Sequence, residues 1–219
     1  NGRWAKKRGL PRSAGHRQGS NAIREIVKYC AKIGIKYLTV YAFSTENWKR
    51  PKDEVDSLMN LLQEFLTKAS KELEGSNIRI NVIGDIVKLP RKLKEEIYRV
   101  LDMTKGNTGL QFNIALNYGG RDEILFAVKQ IAKDVKDGKL KIDNIDINKI
   151  TSELYTYNIP DPDLVIRTAG EKRLSNFLLW QLAYSEFHIC NALWPDFKEK
   201  NLIEAIQDFQ NRERRYGGI

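Results

Sequence analysis

Apolar, β-rich runs alternate with helical patterns almost without exception along this chain. Helix periodicity covers about Ser20 to Ile33 and gives way to the strand-like run IKYLTVYAF, Ile35 to Phe43. A helical stretch from about Lys52 to Glu74 sets Val55, Leu58, Met59, Leu62, Phe65, Leu66, Ala69 and Leu73 on one broad face. The run IRINVIGD (Ile78 to Asp85) follows, then a helix over roughly Pro90 to Thr104 and the run LQFNIALNY (Leu110 to Tyr118). Helices are predicted again over Arg121 to Asp137 and Ile147 to Tyr155, a strand over DLVIRTAG (Asp163 to Gly170), and a helix over Ser175 to Tyr184. The run FHICNALW (Phe187 to Trp194) and a last helix from about Glu199 to Arg214 complete the pattern. Strands of near-continuous Val, Ile and Leu separated by helices predict a mostly parallel central sheet with helices on both faces. No linker, repeat or low-complexity tract divides it, so the expectation is an α/β fold in a single domain over residues 1–219.

Composition narrows the partners without choosing one. The 219 residues are 42% hydrophobic and 10% aromatic, enough to build a core. The net charge of +9 fits an anionic partner, whether nucleic acid, a phosphorylated small molecule or an acidic membrane face. A nucleic-acid groove would interleave basic residues with exposed aromatics, whereas the aromatics here sit within apolar patterns, so no nucleic acid is expected. Cys30 and Cys190 lie far apart with no C-x-x-C spacing, which predicts buried free thiols and, by default, a reducing cytoplasm. No uninterrupted apolar run is long enough to span a bilayer.

The polar clusters that follow the strands carry the chemistry. Open parallel sheets bind ligands beyond the carboxyl ends of their strands, and those ends here lead into STENWKRP, GGRDE and AGEKRLSN. Gly2, by the same logic, sits just past a strand that would end before residue 1. Four loops would then converge on one pocket holding Arg3, Arg12, His16, Asn47, Arg50, Arg167, Arg173 and Ser175. Guanidinium groups and helix N-termini together predict a phosphate site. There is no G-x-x-x-x-G-K-[ST], no G-x-G-x-x-G after a strand, no G-x-S-x-G elbow and no His/Cys cluster. Carboxylates near the strand ends are Glu46, Asp122, Glu171 and Glu186; a Mg2+ ion would need one of them, the phosphates and a ligand from elsewhere. NFLLWQLAY, Asn176 to Tyr184, is apolar nearly all round. A greasy lining beside a phosphate pocket suggests an amphiphile with a diphosphate head.

Five stretches together, NGRWAKKRGLPRSAGHR, YAFSTENWKRP, NIALNYGGRDE, DLVIRTAGEKRLSNFLLWQLAYSE and LWPDF, resemble the cis-prenyltransferase family and its bacterial undecaprenyl diphosphate synthases in particular. The resemblance spans nearly the whole chain. It implies a non-Rossmann α/β homodimer that condenses isopentenyl diphosphate onto an allylic diphosphate, farnesyl diphosphate, with Mg2+, making the lipid carrier of cell-wall synthesis. It further implies a cytoplasmic enzyme that meets the inner membrane face peripherally to release its lipid product. Residue by residue, it assigns Asn1, Gly2, Arg3, Trp4, Arg12 and His16 to the allylic diphosphate. Ser44, Thr45, Glu46, Asn47, Trp48 and Arg50 match the S-x-E-N-W-x-R segment, with Asn47 the catalytic residue that handles the proton. Arg167, Arg173, Leu174 and Ser175 match the isopentenyl diphosphate site, and Glu186 a Mg2+ ligand. Leu110 aligns with a position that closes the far end of the product tunnel, and NRERRYGG resembles a tail whose arginine reaches the partner subunit. The family pattern also places an Asp-Gly directly before NGRWA, the Asp holding Mg2+; a hydrophobic strand ending in Asp-Gly is therefore expected ahead of Asn1. A chain lacking that Asp would bind its substrates better than it turns them over. A non-catalytic subunit of a prenyltransferase complex is the rival reading, and retention of Asn47, Arg167, Arg173, Ser175 and Glu186 argues against it.

Overall fold

The computed structural model describes residues 1–72 and 75–213. Two helices, α1 (Gly2–Lys7) and α2 (Arg12–Lys32), precede strand β1 (Tyr37–Ser44). Helix α3 (Lys52–Glu72), strand β2 (Arg79–Ile83), helix α4 (Arg91–Thr104) and strand β3 (Gln111–Tyr118) follow. Then come α5 (Gly120–Lys136), α6 (Ile147–Ser152), β4 (Leu164–Arg167), β5 (Glu186–Ile189) and α7 (Glu199–Gln210). The alternation of helix and parallel strand expected from the apolar pattern is present. The residues foreseen as the ends of the second and last helices, Leu73, Glu74 and Arg214, and the tail beyond, lie outside the described residues.

Strand β3 is central. It pairs in parallel with β1 on one edge and β2 on the other, so that Leu38 and Ile80 both face Phe112 across the ladder. Every β3 residue from Phe112 to Tyr118 is buried, as expected of a strand covered on both faces. Of its two buried amides, Asn113 is satisfied by neighbours in the sheet: it accepts from Asn81 Nδ2 at 3.1 Å and Gln111 Nε2 at 3.0 Å and donates to Thr39 Oγ1 at 3.2 Å. The largest apolar cluster packs α2, α3 and α4 against Phe43, Ile80, Leu110, Phe112, Ile114 and Leu116. A smaller one joins Ile83, Ala115 and Tyr118 to Val165, Leu178 and Leu182. Cys30 and Cys190 are buried free thiols, and burial pushes Cys30 up to about 11.

Three expectations are corrected. The strands form two parallel sheets, β1–β3–β2 and β4–β5, instead of one. Helix α2 begins at Arg12, eight residues before Ser20, and α1 precedes it. Two glycines hide that helical start from any apolar count: a Cβ on Gly15 would lie 2.3 Å from the Asn1 carbonyl oxygen, and one on Gly19 2.7 Å from Asn1 Oδ1. The third correction is the segment Ser175 to Tyr184, a chain of turns and not a helix. Ser175, Asn176 and Leu178 adopt φ of 57°, 62° and 45°, values a right-handed helix excludes. Asn176 causes this, because its carbonyl oxygen accepts from Gly120 N at 2.7 Å and its Oδ1 from Arg121 N at 2.9 Å. The segment thereby caps the start of α5, and Leu178 and Leu182 are buried, joined by one backbone bond from Leu182 N to the Leu178 carbonyl at 3.0 Å.

Glu123 fastens this region from below. Its buried carboxylate accepts from Tyr118 Oη at 2.5 Å, Gln181 Nε2 at 3.0 Å and Tyr155 N at 2.9 Å. Burial pushes its carboxyl above the ordinary range, against the pull of these donors. Among the described residues no helix is long and apolar enough to cross a membrane.

Gly84, with φ of 119°, carries the turn after β2 so tightly that a Cβ would meet the Leu116 carbonyl oxygen at 2.1 Å. Gly84→Ala should therefore cost about 1–3 kcal/mol of stability, read as a lower midpoint in urea denaturation.

Candidate functional site

Helix α1 lies on α2 because Gly15 and Gly19 leave room for Asn1. This contact sets Asn1 Nδ2 3.4 Å from His16 Nδ1 and places Gly2 beside the Arg12 side chain. Arg12 Nη1 donates to Glu54 Oε2 at 2.8 Å, while Arg50, just ahead of α3, donates to Glu54 Oε1 at 2.9 Å. His16 Nε2 stands 3.7 Å from the same carboxylate and, though buried, has no hydrogen-bond partner. Burial, helped by the nearby Arg50 charge, lowers the pKa of His16, and so keeps its ring neutral. For Glu54 burial acts upward, yet the hydrogen bond from Arg12 and the charges of Arg50 and Arg12 hold its carboxyl below the ordinary range.

The 3-10 turn Thr45–Lys49 follows β1, whose ladder to β3 breaks register at Tyr41–Phe43 and again at Phe43–Ser44. Such breaks re-aim a strand end. Ser44 N–H donates to Asn47 Oδ1 at 3.0 Å, which closes the turn on itself. Three further bonds fix it from outside. Trp48 Nε1 donates to Asn117 Oδ1 at 2.7 Å, Thr45 Oγ1 to Asp122 Oδ2 at 3.0 Å, and Asn176 Nδ2 to Glu46 Oε1 at 2.9 Å. Asn117, left-handed at φ of 46°, also donates Nδ2 to the Asp85 carbonyl at 2.7 Å. Asn tolerates that conformation better than most residues.

Arg167 ends β4, and its Nη2 donates to Ser175 Oγ at 3.4 Å. Burial, then the charge of Arg173, lowers the pKa of Arg167, and its buried Nε has no partner. Arg173 pairs with Glu171, and Arg3 reaches the other oxygen of that carboxylate at 2.7 Å.

One connected set results. Glu54 joins α2 to Arg50, Glu171 joins α1 to the loop after β4, and Asn176 joins that loop to the Thr45 turn. Asn1, Gly2, Arg3, Arg12, His16, Ser44, Thr45, Glu46, Asn47, Trp48, Arg50, Arg167, Arg173 and Ser175 all belong to it. Trp4 does not. Its Nε1 donates to Asp196 Oδ1 at 2.7 Å under the Arg8 guanidinium, which stacks 4.2 Å from its ring. Leu174 packs on the smaller core cluster.

Glu186 also stands apart. It opens β5 opposite Leu164, three positions before Arg167 along the ladder, or about 10 Å at the rise of a strand. It accepts from Arg212 Nη1 at 2.8 Å; Arg212 in turn bonds Asp208 at 2.5 Å, and Asp208 contacts His188 Nδ1 at 2.8 Å. Among the described residues no three His, Cys, Asp or Glu side chains gather to hold a metal. The described chain by itself therefore does not build a closed Mg2+ site.

Glu54, Asn117 and Asn176 are the functional neighbours that sequence reasoning missed. An acid in the first turn of a helix is ordinary on macrodipole grounds, so Glu54 carried no signal. The φ-tolerant asparagines beside NYGG and after Ser175 were the only hint for the others.

Exposed guanidinium groups with donors to spare, a buried unpaired Arg167 Nε and a neutral His16 suit anions bearing several oxygens. Glu54 also yields a pH prediction. A carboxyl held below its ordinary 4.5 in the folded state contributes stability above that value and loses it as pH falls through the folded value. Glu54→Gln should thus be less stable than wild type in urea denaturation at neutral pH, and the difference should fade in acid.

A sequence profile described as putative undecaprenyl diphosphate synthase matches residues 1–217. An isoprenyl transferase of Clostridium tetani is 55% identical over 219 residues, covering 100% of this chain and 86% of its own length. One from Clostridium perfringens is likewise 55% identical, over 100% of this chain and 87% of its own. Lavandulyl diphosphate synthase from Lavandula x intermedia, solved with dimethylallyl diphosphate, superposes with a TM-score of 0.95 at 41% identity, covering 99% of this chain and 93% of that one. A probable undecaprenyl diphosphate synthase from Campylobacter jejuni gives 0.81 at 38% identity, over 92% of each chain.

Proposed function

The chain belongs to the undecaprenyl diphosphate synthase family of prenyl-transferring enzymes, and from that premise we propose that it adds isopentenyl diphosphate units to farnesyl diphosphate through cis double bonds, ending at undecaprenyl diphosphate for the cell-wall lipid carrier. The observation that carries this reading is the presence of two arginine groups, one gathered on Glu54 and one on and beside Glu171. Arg12, Arg50 and His16 form one, and Arg3, Arg167, Arg173 and Ser175 form the other. Two diphosphates held side by side are what this condensation requires.

In the proposed reaction the allylic carbon–oxygen bond breaks and its electrons leave with the diphosphate. The double bond of isopentenyl diphosphate then attacks the allylic cation, and the adduct loses a proton to give the new double bond. Negative charge grows on the departing diphosphate, and guanidinium groups already in place stabilise it without reorganising. Arg12 and His16 serve the allylic diphosphate in this scheme, and Arg167, Arg173 and Ser175 the isopentenyl diphosphate. Asn47 is the catalytic residue assigned to the proton. Because its Oδ1 already accepts from Ser44 N–H, Asn47 orients the reacting groups through its amide N–H2, and the proton ends on a diphosphate oxygen.

Mg2+ belongs to the same proposal as an ion carried with the diphosphates, Glu186 being the carboxylate of this chain assigned to it. Homodimer formation does too: Tyr184, Phe187 and Ile189 are exposed on and beside β5, and Leu125 and Val128 on α5, apolar surface that a second copy would cover. One domain over residues 1–219 and a cytoplasmic, peripherally membrane-bound enzyme complete the reading.

Each five-carbon unit added buries about 4 kcal/mol of apolar transfer free energy, so release of the long product should limit turnover. Full-length protein given farnesyl diphosphate, labelled isopentenyl diphosphate and Mg2+ should yield labelled cis-polyprenyl product, faster with detergent. No labelled lipid, or trans geometry, overturns the reading; turnover indifferent to detergent overturns the release step alone. Leu110, 3% exposed at the entrance to β3, would close the far end of the hydrocarbon site. Leu110→Ala should then lengthen the product seen by thin-layer chromatography.

A further inference from the structure

The arginines of the site come in two pairs, and each pair shares one carboxylate. Arg12 and Arg50 take opposite oxygens of Glu54, at 2.8 and 2.9 Å. Arg3 and Arg173 take opposite oxygens of Glu171. In both cases the two cations come from different parts of the chain: α2 and the segment before α3 for one pair, α1 and the loop after β4 for the other. Like charges so placed repel, and the bridging acid is what keeps them together. Depth separates acid from base. The Glu54 and Glu171 side chains are 12% and 18% exposed, whereas Arg3, Arg12 and Arg173 are 58%, 67% and 70% exposed. The acids are sunk beneath arginines that lie open to solvent, and each guanidinium has five N–H donors of which the acid uses one or two.

We propose that Glu54 and Glu171 are resident counter-anions of the two head-group sites. They are positioning residues that hold each arginine pair ready while the pocket is empty and compete with an arriving diphosphate for the same donors. This rests on the reading of the arginine groups as diphosphate sites. Its consequence concerns turnover: each pair presents a net charge of one instead of two, which weakens the hold on a polyanion that must leave in every cycle. Glu54, fixed on the first turn of α3, also ties the state of its arginines to the helix covering the main apolar cluster.

A mere structural brace would behave oppositely. Replacing it would loosen the arginines and weaken binding, whereas removing a competitor tightens it. The test is calorimetric titration of inorganic diphosphate into full-length wild type, Glu54→Gln and Glu171→Gln over a salt series, with thermal unfolding as the check of fold. Glutamine keeps the size and one acceptor oxygen and removes only the charge. Each variant should bind diphosphate about tenfold more tightly than wild type, with a steeper dependence on salt and stronger inhibition of turnover by the same ion. Equal or weaker binding by a folded variant overturns the proposal. Failure of wild type to bind diphosphate would instead overturn the head-group reading on which it rests. Should a glutamine variant not fold, the corresponding alanine variant, which also removes the charge, carries the test. Tighter binding is again expected, and weaker binding again overturns it.

Discussion

A strand buried along its length cannot leave backbone groups unpaired, because no water reaches them. β3 meets this by taking parallel partners on both edges, with the Asn113 side chain bonding to Thr39 on one side and Asn81 on the other. Parallel partners need crossover helices, and those helices bury the faces of the sheet in turn. The site follows from the same constraint. All three strands end in the same direction, so the Thr45 turn after β1, Gly84 after β2 and Asn117 near the end of β3 arrive together, and Asn117 bonds to the first two regions at once. Tyr118 then drops beneath them to the buried Glu123.

The second organising element is charge. Partly buried arginines are costly: burial, and after it the charge of Arg173, lowers the pKa of Arg167. Carboxylates offset that cost where they bridge, and the unpaired Arg167 Nε and His16 Nε2 show where they do not. Buried polar atoms without partners are expensive, so a site that keeps them is poised for an anion that satisfies them. Under the proposed reading, fold and function pull in different directions: Glu54 and Glu171 stabilise the arginine pairs by occupying donors that a diphosphate would use.

Much of this was legible in the chain. Strand positions, the long α3 and the placement of polar loops at strand ends followed from apolar runs alone, since parallel strands cannot hide their near-continuous hydrophobicity. Arginine-bearing motifs pointed to an anion site because guanidinium groups gather in the loops after the strands. Ser175 to Tyr184 misled for an equally physical reason. Its apolar residues are spaced as a helix would space them, but Asn176 spends its carboxamide and carbonyl on α5 and the Thr45 turn and forces three left-handed residues. Trp4 shares the NGRW motif with Arg3 by resemblance, yet one residue along a helix turns a side chain by about 100°, and Trp4 meets Asp196.

What the sequence by itself determined is the class of fold and the family, because these are carried by residue types and by spacing along the chain. Only the tertiary structure decided which charges meet. Arg12 and Glu54 are 42 positions apart, and Arg3 and Glu171 far more; no local rule links them. It also decided that the strands part into two sheets and that Glu186 lies with Arg212 and not with Arg167. Contacts of that kind are settled by packing between distant segments, where the short range of hydrogen bonds makes a few ångströms decisive.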